Sequence, residues 1–289
     1  MNEDILSILE YKMPTFSKGQ KRIAALICES YDKTAFMTAS SLGKQAGVSE
    51  STVVRFAMEL GYEGYPQMQK AMQEMVLNRL TSVQRMGVTQ DRMGSQDVVT
   101  TVLNSDADKL RQTAETIDRQ VFQKAVDSIL RADNIYVVGV RSASSLASFF
   151  GYYLQYMFDR VHIITSSSSE EILEQMINVH AGDAVVAFSF PRYSSSTVEA
   201  VSYCHGTGAA VVGITNSMVS PLAESCDCVL IAKSDMVSVV DSLVAPLSLV
   251  NALIVALATA KEDALRTKLE KLESIWQSHH VYEKNGDNQ

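Results

Sequence analysis

The sequence predicts two domains of unlike class. Residues 1–80 form an all-α helix-turn-helix domain. Residues 118–289 form an α/β domain on a doubly wound parallel sheet of five strands. Residues 81–117 serve as linker and connecting helix. Three observations carry this prediction. Apolar residues recur at helical spacing through the first 80 positions. Beyond Ile135, five short β-rich runs alternate with helical patterns, as in a parallel sheet covered on both faces. Between the two, residues 81–95 (TSVQRMGVTQDRMGS) lose periodicity and include Gly87 and Gly94.

In the first domain, Ser17 and Gln20 have the spacing of a capping box. Ile23, Leu26 and Ile27 follow on one helical face. In residues 38–65, Leu42 and Ala46 stand four apart and share a face. Gly47 falls where a helix ends in a left-handed residue. Val48 fills the corner, and Ser49 is placed to cap the next helix. Val53, Phe56 and Leu60 then face inward, leaving Glu50, Ser51, Thr52, Val54, Arg55 and Glu59 toward solvent. Met68, Met72, Met75 and Val76 mark a further helix and read as core filling.

Two short helices joined at a glycine corner make an ordinary hairpin or the helix-turn-helix that inserts its second helix into the DNA major groove. Turn, cap and spacing together favour the second reading. Thr38, Ser49, Ser51, Thr52 and Arg55 are the candidate contacts to a double-stranded operator.

The net charge of −8 is unevenly distributed. Residues 1–80 carry nine Lys and Arg against nine Asp and Glu, so the whole excess lies beyond them. A neutral unit is a modest electrostatic footprint on DNA, and two copies in a homodimer or homotetramer would make up for it. Glu3 and Asp4 occupy the place of a positive signal-peptide start. The longest apolar run, residues 248–258, is broken by Ser248 and Asn251 and is too short to span a membrane. Cys28, Cys204, Cys226 and Cys228 form no disulfide framework or metal-ligand spacing. These features predict a reduced, cytoplasmic protein with no metal and no cofactor.

The strands of the second domain are read at residues 135–139 (IYVVG), 161–164 (VHII), 184–188 (AVVAF), 210–215 (AVVGIT) and 228–232 (CVLIA). Five such strands suggest a flavodoxin-like order. Residues 263–276 read as an amphipathic terminal helix, packed or used in a dimer. In a doubly wound sheet, ligands bind beyond the carboxyl ends of the strands, against helix N-termini. Two of those ends here are rich in hydroxyls: GVRSASS after the first strand and SFPRYSSST after the third. Serine and threonine hydroxyls, free N–H groups and the fork of Arg192 together suit a phosphate. Residues 166–169, all serine, follow the second strand and either cap a helix near Glu170 or join this cradle. Ser238 and Asp241 are placed to hydrogen-bond sugar hydroxyls. His162, His180, His205, His279 and His280 all lie outside the serine-rich loops, so no base for proton transfer is evident.

Taken together, AGVSESTVVRF (residues 46–56), LGYEGY (60–65) and FSFPRYSSSTVE (188–199) resemble the RpiR-type bacterial transcriptional regulators, over nearly the whole chain. That family pairs a helix-turn-helix domain with a sugar isomerase (SIS) domain. The resemblance implies a phosphosugar effector, control of carbohydrate-use genes and a dimer or tetramer. It also implies phosphate-binding roles for Ser194 and Thr197, a first-loop hydroxyl at Ser142 and a strand-end hydroxyl at Ser189. Two positions depart from the pattern. Gly43 replaces a usual alanine, and Arg141 stands at a normally small position. Three roles are open to Arg141: the phosphate, an acidic sugar, or solvent. A sugar-phosphate isomerase with a helical accessory domain is the competing reading. A structural adaptor would leave both the serine loops and the recognition helix unexplained.

Overall fold

The computed structural model describes residues 5–79, 97–234 and 240–282. The chain divides into two compact units, Met1–Gly94 and Ser95–Gln289.

The first unit is helical: α1 (Ile5–Lys12), α2 (Lys18–Glu29), the single turn α3 (Tyr31–Thr34), α4 (Ala39–Ala46), α5 (Glu50–Glu59) and α6 (Tyr65–Arg79). Three of the helix starts have a local cause. Ser17 accepts from the Gln20 N–H while the Gln20 side chain accepts from the Ser17 N–H, completing the expected capping box. Thr38 caps α4 by accepting from Ser41 N, and Ser49 caps α5 by accepting from Thr52 N. Gly47 ends α4 at φ 65°, in the left-handed region as its sequence position requires.

One core holds this unit together. Leu9, Ile23, Ile27, Leu42, Val53, Phe56, Ala57, Met68 and Met72 are fully buried. Phe16 meets Phe56 edge to face at 5.2 Å. Helix α6 also reaches back with polar side chains. Tyr65 and Gln69 both donate to the Met37 carbonyl at 2.6 Å, and Gln73 donates to Ala35 O at 3.0 Å. Burial pushes the Tyr65 phenol up to about 12, so it remains a donor. These three bonds hold the lead-in to α4 in place.

The second unit begins with α7 (Val98–Thr116) and α8 (Arg119–Arg131). Strands and helices then alternate: β1 (Ile135–Gly139), α9 (Ser144–Met157), β2 (Val161–Ile164), α10 (Ser169–Met176), β3 (Ala184–Phe188), α11 (Ser195–Gly206), β4 (Ala210–Thr215) and β5 (Cys228–Ile231). Two long helices follow, α12 (Val244–Ala260) and α13 (Glu262–Ser278). All strand pairs are parallel and the order is β2-β1-β3-β4-β5, the flavodoxin-like arrangement expected from the sequence.

Both sheet faces are covered. One face packs Val137, Val186, Phe188, Val212 and Leu230 against Phe150, Leu154, Leu249 and Leu253. The other packs Val138, Val185, Ala187 and Val211 against Ile172, Met176, Ala200 and Val201. Burial on both sides explains why β1 and β3 read as unbroken apolar runs. The terminal helix α13 lies against α9. Lys268 donates to Gln155 O at 2.8 Å, and Trp276 meets Tyr156 edge to face. None of its residues is fully buried. Among the described residues, no single helix is long and apolar enough to cross a membrane.

Candidate functional site

In the first unit, α5 presents Glu50, Ser51 and Arg55 on an exposed face, with Val54 half-buried between them. The three hydroxyls at its start form a cluster. Ser49 Oγ lies 2.9 Å from Ser51 Oγ and 2.8 Å from Thr52 Oγ1. Arg55 Nε donates to Ser51 O, one turn back, at 3.3 Å. Thr38, exposed at the start of α4, completes the set of predicted contacts. The close packing of α4 on α5 explains Gly43. A Cβ there would stand 3.0 Å from Val48 O and 3.3 Å from Ser49 C, against backbone that cannot move aside easily.

The outward-facing assignment of Val54 needs correction. Val54 packs partly against the core, because its position on α5 brings it to the edge of the buried stripe. Glu59 is exposed as expected and is also a structural tie: its carboxylate accepts from the Gln20 side chain, and its carbonyl accepts from Lys12 Nζ at 3.2 Å. These bonds fasten the end of α5 to the end of α1 and the start of α2.

In the second unit, β1 and β3 are neighbours whose chains leave toward opposite sides of the sheet, which opens a crevice at their carboxyl ends. A cleft of about 460 Å³ sits there, lined by Val140, Arg141, Ser167, Arg192, Tyr193, Ser194, Ser195 and Ser196. Gly139 lets the first loop fold back on the strand end, since a Cβ would stand 2.7 Å from Ala143 O. Ser144 and Ser145 donate to the carbonyls of Arg141 (2.6 Å) and Ser142 (2.8 Å) and hold that loop.

Backbone conformation sets the two arginines apart. Arg141 has φ 56° and Arg192 φ 61°, and His280 is the only other non-glycine residue with positive φ among those described. Such conformations are uncommon outside glycine and concentrate at ligand sites, where surrounding structure holds them. Each arginine sits in one of the two serine-rich loops, and both line the same cleft.

The hydroxyls divide into used and unused. Ser194 is the N-cap of α11 by backbone conformation, yet its side chain makes no cap hydrogen bond. Thr197 is fully buried, and its Oγ1 has no hydrogen-bond partner. An unpartnered buried hydroxyl is destabilising unless something else satisfies it. In the serine run, both readings are realised by different residues. Ser168 caps α10 by accepting from Glu171 N, whereas Ser167 lines the cleft. Ser169 Oγ lies 2.8 Å from Ser196 Oγ and ties that loop to the start of α11.

Of the predicted ligand contacts, the cleft brings together Arg141, Arg192 and Ser194. Ser142 is exposed beside the lining, while Ser189 and Thr197 are buried beneath it. Asp241 is half-buried in the segment ahead of α12, and Ser238 lies outside the described residues. Tyr193, Ser195 and Ser196 line the cleft without having been singled out, and Ser167 joins it from the serine run after β2. The Tyr193 hydroxyl donates to Asn216 Oδ1 at 2.8 Å, linking the cleft to the end of β4. The run of adjacent hydroxyls was legible in sequence, but which members face one cleft depends on how the first turn of α11 meets the strand.

Three of the five histidines are engaged away from the cleft. The His162 ring stacks on Tyr136 at 4.6 Å, His180 Nδ1 lies 2.9 Å from Ala181 O, and His205 Nδ1 lies 4.0 Å from an Asp227 oxygen.

The chain matches two family descriptions in sequence. Residues 3–78 match the helix-turn-helix domain of the rpiR family, and residues 128–256 match the SIS domain. The transcriptional regulator HexR of Pseudomonas aeruginosa is 24% identical over 225 residues, covering 77% of this chain and 76% of that protein. The sugar isomerase domain of an RpiR transcription factor from Sphaerobacter thermophilus superposes with a TM-score of 0.59 at 27% identity, over 62% of this chain and 99% of that one. The NanR protein of Vibrio vulnificus, solved in complex with ManNAc-6P, has a TM-score of 0.59 at 23% identity, over 95% of this chain and 98% of that one. With the rpiR-family helix-turn-helix domain followed by a SIS domain, the chain belongs to the RpiR-type transcriptional regulators.

Proposed function

We propose that this regulator controls carbohydrate-use genes and is gated by a phosphosugar held in the cleft between the β1 and β3 loops. The observation that carries the reading is the pairing of Arg141 and Arg192, both in left-handed backbone, with Ser194, whose hydroxyl its own helix leaves unused. Guanidinium groups give short, charge-assisted bonds to phosphate. The start of α11 adds free N–H groups and the positive end of a helix dipole. Ser195 and Ser196 supply further donors. The phosphosugar bound by the related NanR supports the same ligand class here.

On the DNA side, Ser51, Thr52 and Arg55 contact the operator, with Thr38 and Ser49 at helix starts where backbone N–H groups meet phosphates. Because the first unit is near neutral, a homodimer presents two recognition helices to two half-sites, about 34 Å apart or a multiple of it. The effector changes DNA affinity by binding the two arrangements of that dimer unequally.

The reading is non-enzymatic. Among the described residues lining the cleft there is no carboxylate or imidazole to act as a base. Turnover of aldose or ketose phosphates by the purified protein would establish the isomerase instead.

Titration calorimetry with a panel of phosphosugars tests the ligand class. At least one phosphosugar is expected to bind wild type and to lose roughly tenfold or more in affinity in Ser194→Ala. Thr197→Val removes an unpartnered hydroxyl from a buried site, so it should leave thermal stability unchanged or raised while weakening the same ligand. Binding of unphosphorylated sugars alone would overturn the phosphate reading. Arg55→Ala combined with Thr52→Ala should abolish specific gel shifts in a folded protein.

A further inference from the structure

Helix α2 carries its charges in an order that its own dipole disfavours. Lys18, Lys21 and Arg22 fall within its first five residues, and its one acid, Glu29, is its last. A helix start favours acidic side chains and a helix end favours basic ones. With the reverse order, these basic residues add nothing to the stability of the helix that carries them.

Packing places that basic start beside the recognition helix. A Cβ on Gly19 would stand 3.4 Å from Val48 Cγ1 and 3.8 Å from Thr52 Cγ2, so the first turn of α2 lies against the corner and the first turn of α5. One turn further along α2, Arg22 reaches the same corner: a Cβ on Gly47 would stand 3.1 Å from Arg22 Nη1. Gly47 precedes Ser49, the cap of α5, by two residues, which limits their separation to about 7 Å. Lys18 is one turn before Arg22 on the same side of α2. Both side chains are exposed. Among the described residues, neither has a hydrogen-bond or ion-pair partner. The acids of α5 leave them unpaired. Glu59 has its carboxylate bonded to the Gln20 side chain, and Glu50 begins α5 on the side of α4, where a Cβ on Gly43 would stand 3.4 Å from its N.

DNA supplies the matching charge. The major groove is about 12 Å wide, so a helix inserted in it has sugar–phosphate backbone on both sides. Basic side chains held beside the start of that helix, rather than on its exposed face, meet phosphates instead of base edges. The nine basic and nine acidic residues of positions 1–80 cancel in total, yet the side formed by the start of α2 and the Gly47 corner is positive.

We propose that Arg22 and Lys18 clamp the phosphate backbone of the operator at the edge of the groove that α5 reads. They set affinity, whereas Ser51 and Arg55 set sequence preference. The inference rests on the reading of α5 as the recognition helix and gives the DNA a second contacting element.

The test is fluorescence anisotropy of the full chain on two labelled duplexes, one enriched by the protein itself from a random pool and one of scrambled sequence, across a salt series. Each phosphate contact contributes about 0.9 to the slope of log affinity against log salt. Arg22→Ala should lower that slope by about 0.9 per bound protomer and weaken both duplexes several-fold, leaving their ratio unchanged. Lys18→Ala should act in the same way. Arg55→Ala, by contrast, should reduce the ratio. Arg22→Lys keeps the charge and should retain most of the affinity. Lys33→Ala removes an equal charge from α3, beyond the far end of α2, and should leave the slope unchanged. Both alanine variants of α2 should melt at the wild-type temperature or above. An unchanged slope in Arg22→Ala, or an equal drop in Lys33→Ala, overturns the clamp and leaves the recognition helix in place. A lowered melting temperature with a loss of binding that Arg22→Lys does not restore makes Arg22 a packing residue of the corner and overturns it too. If wild type enriches no duplex, the DNA reading itself fails and this inference falls with it.

Discussion

Ser49 and Ser194 occupy the same position in two different helices, and they differ in what their hydroxyls do. Ser49 accepts from Thr52 N and touches the hydroxyls of Ser51 and Thr52. Ser194 has the extended backbone of an N-cap and makes no cap bond. The contrast extends to the units around them. In the helix-turn-helix unit, Ser17, Thr38 and Ser49 all satisfy the N–H groups of their own helices. At the cleft, Ser194 makes no cap bond, the Thr197 hydroxyl has no partner, and Arg141 and Arg192 hold uncommon backbone conformations. The first unit satisfies these helix starts with its own side chains. On the proposed function, the second keeps that hydrogen-bonding capacity for its effector. A regulator needs both: a fixed reader of DNA and a site whose bonding is completed by its signal.

The largest expected effect comes from the core of the reader. Phe56 is fully buried against Phe16, so Phe56→Ala should destabilise the first unit by about 3–5 kcal/mol. Because that core shares no residues with the cores on either face of the sheet, ligand binding by the second unit should survive the loss of DNA binding. Loss of both together would show that the units are energetically one.

A matched pair of substitutions bears directly on the two serines. Ser49→Ala should lower stability by about 1 kcal/mol, as the loss of a working cap does. Ser194→Ala should change it by less than about 0.5 kcal/mol, since no cap bond is lost. Chemical denaturation of the two variants reads the difference. An equal loss in both would remove the distinction between used and unused caps.

The smallest effect concerns the thiols. Burial pushes Cys204 and Cys226 up to about 12, and it also raises Cys28, with Glu10 as a lesser cause. At pH 8 these groups are therefore thiols rather than thiolates, and native protein should label slowly with a thiol reagent. The half-buried Cys28 of the first unit should react ahead of the buried Cys204 of the second. Rapid labelling of Cys204 would mean that the second unit opens more readily than its packing suggests.

Much of the fold was legible because it rests on local chemistry. The Ser17–Gln20 capping box, the left-handed Gly47 and the cap at Ser49 each involve atoms within four residues of one another. The apolar runs of β1 and β3 announce burial on both faces without reference to any partner strand. Glu59 could not be read this way, because Gln20 lies 39 positions earlier and nothing local indicates that the two meet. Val54 was misread because periodicity gives the centre of a buried stripe better than its edge.

The sequence alone determined the two domain classes, the recognition helix with its exposed Ser51 and Arg55, and the presence of hydroxyls and arginines at the correct strand ends. These follow from residue type, short-range spacing and the direction of a parallel strand. Tertiary structure decided that the Thr197 hydroxyl stays unpartnered, which serines share a cleft, and that Lys109 lies buried rather than on a solvated helix face. Each of those depends on which distant segments pack together. Thr113 and Lys233 are 120 positions apart, and only the folded sheet brings them within 3.0 Å.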